Sequence, residues 1–448
     1  MAGLGWIGIF RLGLVQMALG GVVALATSTL NRVMVVELAL PATLPGLLFG
    51  IHYAAEMLRP RWGHGSDKGG SRTPWIVGGM AVLALSGVAA AGSIALMSGQ
   101  TAAGIACAVL AYIGIGIGAG AAGTSLLVLI AKLTSPKRKP AAAALVWTLM
   151  IVGTAVAARG AGSLLDPFSM TRLVSVSAGV SAIAFVVALL AIWGVERNHD
   201  AKGAPQAPAK HAAPFFSALK DVWTEPAARR LTIFIFISML AFSAQELLLE
   251  PFAGATFGMT PGETAKLFGS HRGGIVLGMV LSAVIGSFSK KSANAERFWI
   301  AGGCLASAVC LFALTAVGQG AASPFLQPVV FALGIANGAY AVAAIGTMIA
   351  LASVGGMSRE GVRMGLWGAA QAIAFGLGGV LGTFAVDMAR LALGNAAGAY
   401  AFVFAIQGIL FVVAAAFAFR LTPSEAAEQN DYSSQTSLTP AVGQSGAG

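Results

Sequence analysis

The chain has 448 residues, 57% of them hydrophobic and only 10% charged, with a mean hydropathy of +0.82. Soluble proteins carry about 25% charged residues, so a water-soluble core is excluded and the bilayer must be the solvent for most of this chain. The net charge of +10 does not indicate a nucleic-acid surface, because the cations stand in short loops between apolar runs, which is how membrane proteins set their orientation.

Read in order, Met1 leads through Trp6 and Arg11 into a first apolar run, which is expected to act as an uncleaved insertion signal. Twelve spans are predicted, at 12–36, 44–60, 74–98, 101–131, 140–165, 172–195, 230–252, 264–288, 298–318, 324–352, 364–390 and 398–421. Each is close to the roughly 20 residues a bilayer helix needs. The fold class is therefore all-α integral membrane, a bundle of twelve transmembrane helices. With the N-terminus inside, 21 of the 27 Lys and Arg residues fall on the inner side. The remaining six are Arg32, Arg159, Arg172, Lys266, Arg272 and Arg390. That asymmetry places both termini in the cytoplasm.

The longest loop, 196–229, divides the spans six and six. The expected units are an N-terminal half (1–195), a linker (196–229), a C-terminal half (230–421) and a disordered tail (422–448). Within the linker, Phe215, Leu219, Val222 and Trp223 recur at helical spacing, which suggests a short amphipathic surface helix. The pentapeptide Leu48-Phe49-Gly50-Ile51-His52 recurs as Leu267-Phe268-Gly269-Ser270-His271, a faint sign of duplication.

Ionisable residues inside spans are costly, so each needs a reason. Asn31 and Arg32 lie near the outer end of the first span. They are either an edge anchor paired with a carboxylate or a polar cluster at the mouth of a central cavity. His52, Glu56 and Arg59 share one face of the second span by their spacings of four and three. His52 sits about 10 Å inside the inner boundary marked by Arg59. A neutral imidazole there could hold a metal, including the magnesium of a chlorophyll-type ring, or could simply hydrogen-bond Glu56. Counted back from Ser289, His271 falls nearer the outer end of its span, at a different depth from His52. Glu246 and Glu250, spaced i, i+4, are either a cation or proton site or a wetted helix end. Arg159 and the Asp387/Arg390 pair read as ion pairs at helix ends. Cys107, Cys304 and Cys310 all lie in apolar runs, without metal spacing, and read as small hydrophobes. Walker loop, zinc spacing, prenyl-diphosphate D-x-x-x-D pair and Ser/His/Asp set are all missing from the sequence, so no enzyme is expected.

Between spans two and three, Gly63, Asp67-Lys68, Gly70 and Arg72 fit the pattern G-x-x-x-D-(R/K)-x-G-x-(R/K). That pattern resembles the loop between helices 2 and 3 of the major facilitator superfamily. The resemblance implies two six-helix halves, with the loop governing conformational balance. Three further stretches, Phe10-Arg11-Leu12-Gly13-Leu14-Val15-Gln16, Thr27 to Glu37, and Leu58 to Asp67, resemble one branch of that superfamily, the PucC/LhaA family of purple phototrophic bacteria. The resemblance implies a factor of the bacterial inner (intracytoplasmic) membrane that assembles light-harvesting complexes. It would deliver bacteriochlorophyll to antenna polypeptides, with bacteriochlorophyll as cargo and no intrinsic cofactor. Pigment-binding candidates are then His52, as magnesium ligand, with Glu56, Asn31 and Arg32. Alternatives are a small-solute transporter coupled through Glu246 or Glu250, and a scaffold for antenna polypeptides. One member of the family carries a historical bacteriochlorophyll synthase label that these residues do not support.

Overall fold

The computed structural model describes residues 4–58, 71–135, 138–196, 223–288, 293–320, 323–353 and 357–420. Twelve long helices make up these residues. The first six are α1 (Trp6–Thr27), α2 (Thr43–Glu56), α3 (Thr73–Met97), α4 (Thr101–Leu133), α5 (Lys139–Leu164) and α6 (Met170–Ile192). The second six are α7 (Pro226–Phe257), α8 (Pro261–Phe288), α9 (Ala293–Gln319), α10 (Leu326–Ser353), α11 (Met357–Leu393) and α12 (Ala396–Phe419). Ten segments among the described residues are long and apolar enough to cross a membrane, while α2 and the apolar part of α10 are shorter. The chain is a multi-pass membrane protein. Successive helices run in opposite directions, so both described ends of the chain lie on one face, here the terminal face. The opposite face is the distal one. Gly63, Asp67, Lys68 and Gly70 of the basic loop, and the expected surface helix before Trp223, lie outside the described residues.

α1 begins at Trp6, earlier than expected, because Arg11 does not end the span. Its guanidinium donates to the carbonyls of Trp193 (2.5 Å) and Leu190 (3.3 Å) at the end of α6, where helix carbonyls lack internal partners. At its other end α1 breaks at Ser28 and continues through Thr29–Arg32 into a π-helical turn, Val33–Glu37. The break has a local cause. The hydroxyl of Thr27 donates back to Val23 O (3.2 Å) and that of Ser28 to Ala24 O (2.7 Å), and such back-bonding bends helices.

Three carboxylates from elsewhere in the chain hold helix starts; α2 and α3 have no side-chain cap of their own, whereas α8 also has a local one, the Glu263 N–H donating to the Thr260 hydroxyl (3.2 Å). Glu196, just beyond α6, accepts from the backbone N–H of Arg72 (2.8 Å) and Thr73 (2.8 Å) and from the hydroxyls of Ser71 (2.7 Å) and Thr73 (2.6 Å), closing the start of α3. Asp387 of α11 accepts from Ala42 N (2.9 Å) and Thr43 N (2.7 Å) at the start of α2. Asp166, after α5, accepts from Gly262 N (3.3 Å) and the Thr260 hydroxyl (3.0 Å) at the start of α8. The first cap lies on the terminal face and the other two on the distal face. Asp387 therefore forms no ion pair with Arg390, contrary to the sequence-based expectation, because the N-terminus of α2 takes its carboxylate.

One apolar core draws on α1–α6 and a second on α7–α12, with Val35 and Ala42 from the end of the first span and the start of the second joining the latter. Two seams, α2 against α11 and α5 against α8, join the two sets. Both rely on small residues that let backbones approach. A Cβ on Gly162 of α5 would lie 2.7 Å from the carbonyl oxygen of Gly262.

The pentapeptide repeat is mirrored in the packing. Phe49 and His52 have ring centroids 6.3 Å apart at 33°, and Phe268 and His271 are 6.4 Å apart at 41°. The carbonyl of His52 presses on Gly116 of α4, and that of His271 on Gly334 of α10. Gly50 faces α11 at Val380 and Gly376, as Gly269 faces α5 at Arg159 and Ala155. Thr43 and Gly262, the capped residues, each precede their histidine by nine positions. His52 and His271 thus lie at matching depth, which corrects the expectation of different depths. That expectation counted from the terminal-face ends, and α8 with its 28 residues runs much farther than the 14 of α2.

Candidate functional site

A chain of aromatic and ionic side chains crosses between the two halves at the level of His52. His52 is 2% exposed, and its Nε2 lies 3.7 Å from Glu56 Oε1, a pairing set by their i, i+4 spacing. The Tyr53 ring stands edge-on to His52 (5.0 Å, 79°) and to Phe49 (4.8 Å, 69°). Tyr53 then meets Phe375 of α11 at 5.4 Å, and Phe375 meets Phe242 of α7 at 5.9 Å. Beyond Phe242 lies the guanidinium of Arg272 on α8, 6.0 Å from that ring and 4.6 Å from Phe268. Arg272 donates to Glu246 of α7 at 2.6 Å. Tyr53, Glu56, Phe242 and Phe375 are half-buried, whereas His52, Glu246 and Arg272 are buried. Apart from Glu56, the accessible surface of this cluster is therefore aromatic, with a histidine behind one end and an ion pair behind the other. Such a surface suits a flat, polarisable ring system better than a small polar solute.

His271 takes a different part. It is buried between Gln245 Nε2 (3.0 Å) and Asn337 Nδ2 (3.3 Å), and the Ser307 hydroxyl donates to Asn337 Oδ1 (2.9 Å). The network ties α7, α8, α9 and α10 together inside one half. Despite their shared depth, the two histidines do not form one site.

The other sequence candidates gather at the distal face. Asn31 donates to Leu247 O of α7 (2.6 Å), and Arg32 donates to Met259 O (2.6 Å) and pairs with Glu37. Arg32 is 2% exposed and lies flat on α7 at Gly254, where a Cβ would stand 3.0 Å from the guanidinium. Of the two readings of Arg32, the paired anchor describes this geometry. Glu250 is fully buried facing Ser28, Thr264 and Arg32. Neither Glu246 nor Glu250 is a wetted helix end; both are interior because α7 continues to Phe257, well past the boundary expected at residue 252. Among the described residues Arg159 has no ion pair, contrary to the expectation from the sequence. Cys107 is exposed and only Cys304 fully buried.

Sequence reasoning missed Tyr53, Phe242 and Phe375, because an aromatic residue inside an apolar span carries no distinguishing signal. Gly254 and Asp166 were missed as well. For Asp166 a signal existed, since an acidic residue directly follows a predicted span.

The fold has clear relatives among solved structures. A bacterial homologue of the human lysosomal transporter Spinster, in an inward-facing unoccupied conformation, superposes with a TM-score of 0.68 over 96% of this chain and 99% of that one, at 17% identity. A bacterial homologue of the human drug peptide transporters PepT1 and PepT2 gives 0.66 over 93% and 97%, also at 17% identity. At that identity these matches show the major facilitator fold alone. Sequence relatives go further. The "Bacteriochlorophyll synthase 44.5 kDa chain" of Rhodobacter capsulatus is 48% identical over 417 residues, 93% of this chain and 95% of that relative. "Protein PucC" of the same organism is 28% identical over 434 residues, 92% of each chain. The family model described as "PUCC protein" matches residues 29–426, nearly all of the bundle, and the chain belongs to the PucC family.

Proposed function

We propose that this protein is an assembly factor for photosynthetic light-harvesting complexes that binds bacteriochlorophyll and passes it to antenna polypeptides. The observation that carries the reading is the 48% identity, along nearly the whole chain, to a relative whose name contains bacteriochlorophyll. The aromatic seam of Tyr53, Phe375 and Phe242 supports it, because half-buried rings on three helices are already placed to stack on a macrocycle. His52 is the magnesium ligand in this reading, with Glu56 orienting it. Because His52 is buried behind Tyr53, ligation requires the Tyr53 ring to move. Asn31 and Arg32 contribute by holding α1 to α7 rather than by touching pigment. The reading assigns no catalysis to the chain. It places the two halves (1–195 and 230–421) across the bacterial inner (intracytoplasmic) membrane, with the cation-rich terminal face and both termini toward the cytoplasm.

The test is an absorption spectrum, with pigment extraction, of the protein purified gently from a bacteriochlorophyll-producing membrane. Stoichiometric pigment in the wild type, with loss in folded Tyr53→Ala and His52→Ala, is the expected result. Antenna polypeptides co-purifying without pigment would replace the carrier by a scaffold. Gradient-driven solute flux into vesicles without either would replace it by a transporter.

A further inference from the structure

The two seams between the halves are built alike, with one difference. Where α2 meets α11, Leu47 follows Gly46, and Val380 faces Gly50. At the matching places where α5 meets α8, Lys266 follows Ala265, and Arg159 faces Gly269. Two aliphatic side chains in one seam are thus two cations in its twin. Both cations line a groove of about 410 Å³ together with Val156, Gly160 and Ser163. Arg159, Ser163 and Lys266 are exposed, and so are the apolar neighbours Val156 and Leu164.

Among the described residues neither cation has a carboxylate partner. The two nearest along the chain are committed elsewhere. Asp166 is held by Gly262 N and Thr260, and Glu263 accepts from Thr260 N (2.8 Å). Arg159 lies five residues before the end of α5, and Lys266 five residues after the start of α8. Both therefore sit about 8 Å below the distal ends of their helices, at the edge of the hydrocarbon layer, where long cationic side chains reach out to the headgroups. Two cations lining one groove there, without an ion-pair partner among the described residues, call for a counter-charge from outside them.

We propose that the α5–α8 groove is a binding site for one anionic phospholipid of the distal leaflet. Arg159 and Lys266 grip the phosphate, the Ser163 hydroxyl turns from the Gly160 carbonyl to which it donates in the free groove (2.7 Å) to donate to the phosphate instead, and an acyl chain lies over Val156. The lipid lies across the seam between the halves and so bears on how they move.

The experiment is native mass spectrometry of the full-length protein released from detergent after titration with phosphatidylglycerol, with phosphatidylcholine, or with inorganic phosphate. The test variant is Arg159→Val with Lys266→Leu, which copies the twin seam. A milder variant, Arg159→Gln with Lys266→Gln, covers the case in which the first does not fold. One phosphatidylglycerol retained by the wild type at least tenfold better than phosphatidylcholine, and lost in either folded variant, is the result expected. Equal retention of the two lipids, or unchanged phosphatidylglycerol retention in the variants, overturns the site. Displacement of phosphatidylglycerol by millimolar inorganic phosphate would make the groove a site for free phosphate and overturn the lipid assignment.

Discussion

Asp387 closes the start of α2 from across the seam, with one carboxylate oxygen accepting both the backbone N–H (2.7 Å) and the hydroxyl (2.6 Å) of Thr43. Asp166 does the corresponding service for Gly262 at the start of α8. The two helices are pseudo-equivalent, and so are the two that supply the carboxylates. The distal face is therefore fastened at two symmetry-related points, each joining a helix dipole in one half to a charge in the other. Any motion that opens the distal face has to break both.

Removing one fastening should shift that balance. Loss of a capping side chain costs about 0.5–2 kcal/mol. Asp387→Ala is expected to raise the distally open population roughly 2- to 30-fold, with Asp387→Asn in between because it keeps one acceptor. Nitroxide labels at Pro41 and Leu391 would report the change as a longer-distance component. An unaltered distance distribution in a folded Asp387→Ala protein would remove the cap from the closure.

The duplicated contact at the histidine carbonyls makes a paired prediction. A Cβ at Gly116 would press on the His52 carbonyl and lie 2.8 Å from the Ala55 Cβ; at Gly334 it would press on the His271 carbonyl and lie 3.1 Å from the Gly274 Cα. Gly116→Ala and Gly334→Ala should each destabilise by about 1–3 kcal/mol through overpacking. Gly78, on an exposed face of α3 with nothing within 4 Å, is the control. Gly78→Ala should be neutral or stabilise by about 0.5–1 kcal/mol. Melting curves in one detergent compare the three. Equal behaviour at all three positions would mean that the close approaches are not needed.

The fold was legible because the bilayer imposes it: long apolar runs and cation-bearing loops are enough to count helices and pair the termini on one face. What was not legible is whatever depends on which helix faces which. Asp387 looked like the partner of Arg390 because they are one turn apart, and only the bundle brings the start of α2 to it. Glu250 could be read as a wetted helix end because the span was expected to stop at residue 252, yet α7 runs on through Pro251 to Phe257. The depth of His271 was misjudged by measuring from the wrong helix end. The candidate site itself was half visible. His52 and Glu56 stand out by type and spacing, whereas Tyr53, Phe242 and Phe375 become a site only when three separate helices meet.

The Glu246–Arg272 pair should behave as a buried charge pair does. Both side chains are about 9% exposed, so deleting one leaves the other charged in a medium that solvates it poorly. Glu246→Ala is expected to cost about 3–5 kcal/mol, whereas Glu246→Leu with Arg272→Met should recover most of the loss. Thermal stability and yield of the three proteins provide the comparison. If the double variant is as unstable as the single one, the pair does more than neutralise itself, and a role for Arg272 toward cargo gains support.

The start of α3 gives a pH dependence with a definite sign. Glu196 lies outside the spans. Burial raises its pKa, but the bonds from the Thr73 hydroxyl, Arg72 N–H, Ser71 hydroxyl and Thr73 N–H outweigh that effect and hold it below the ordinary 4.5. A carboxyl group whose pKa is lowered by folding binds its proton more readily in the unfolded chain. Its contribution to stability is therefore fully present above the unfolded value and is lost as the pH falls through the lowered folded one. The wild type should keep a constant melting temperature from neutral pH down to the ordinary carboxylate range and lose stability below it. Glu196→Gln should start lower at neutral pH and show a shallower acid slope, since the amide oxygen still accepts hydrogen bonds but the group carries no charge and cannot titrate. Far-ultraviolet circular dichroism of both proteins would check that they remain helical across the range. Parallel acid slopes in the two proteins would place the titration elsewhere and reduce Glu196 to an uncharged cap.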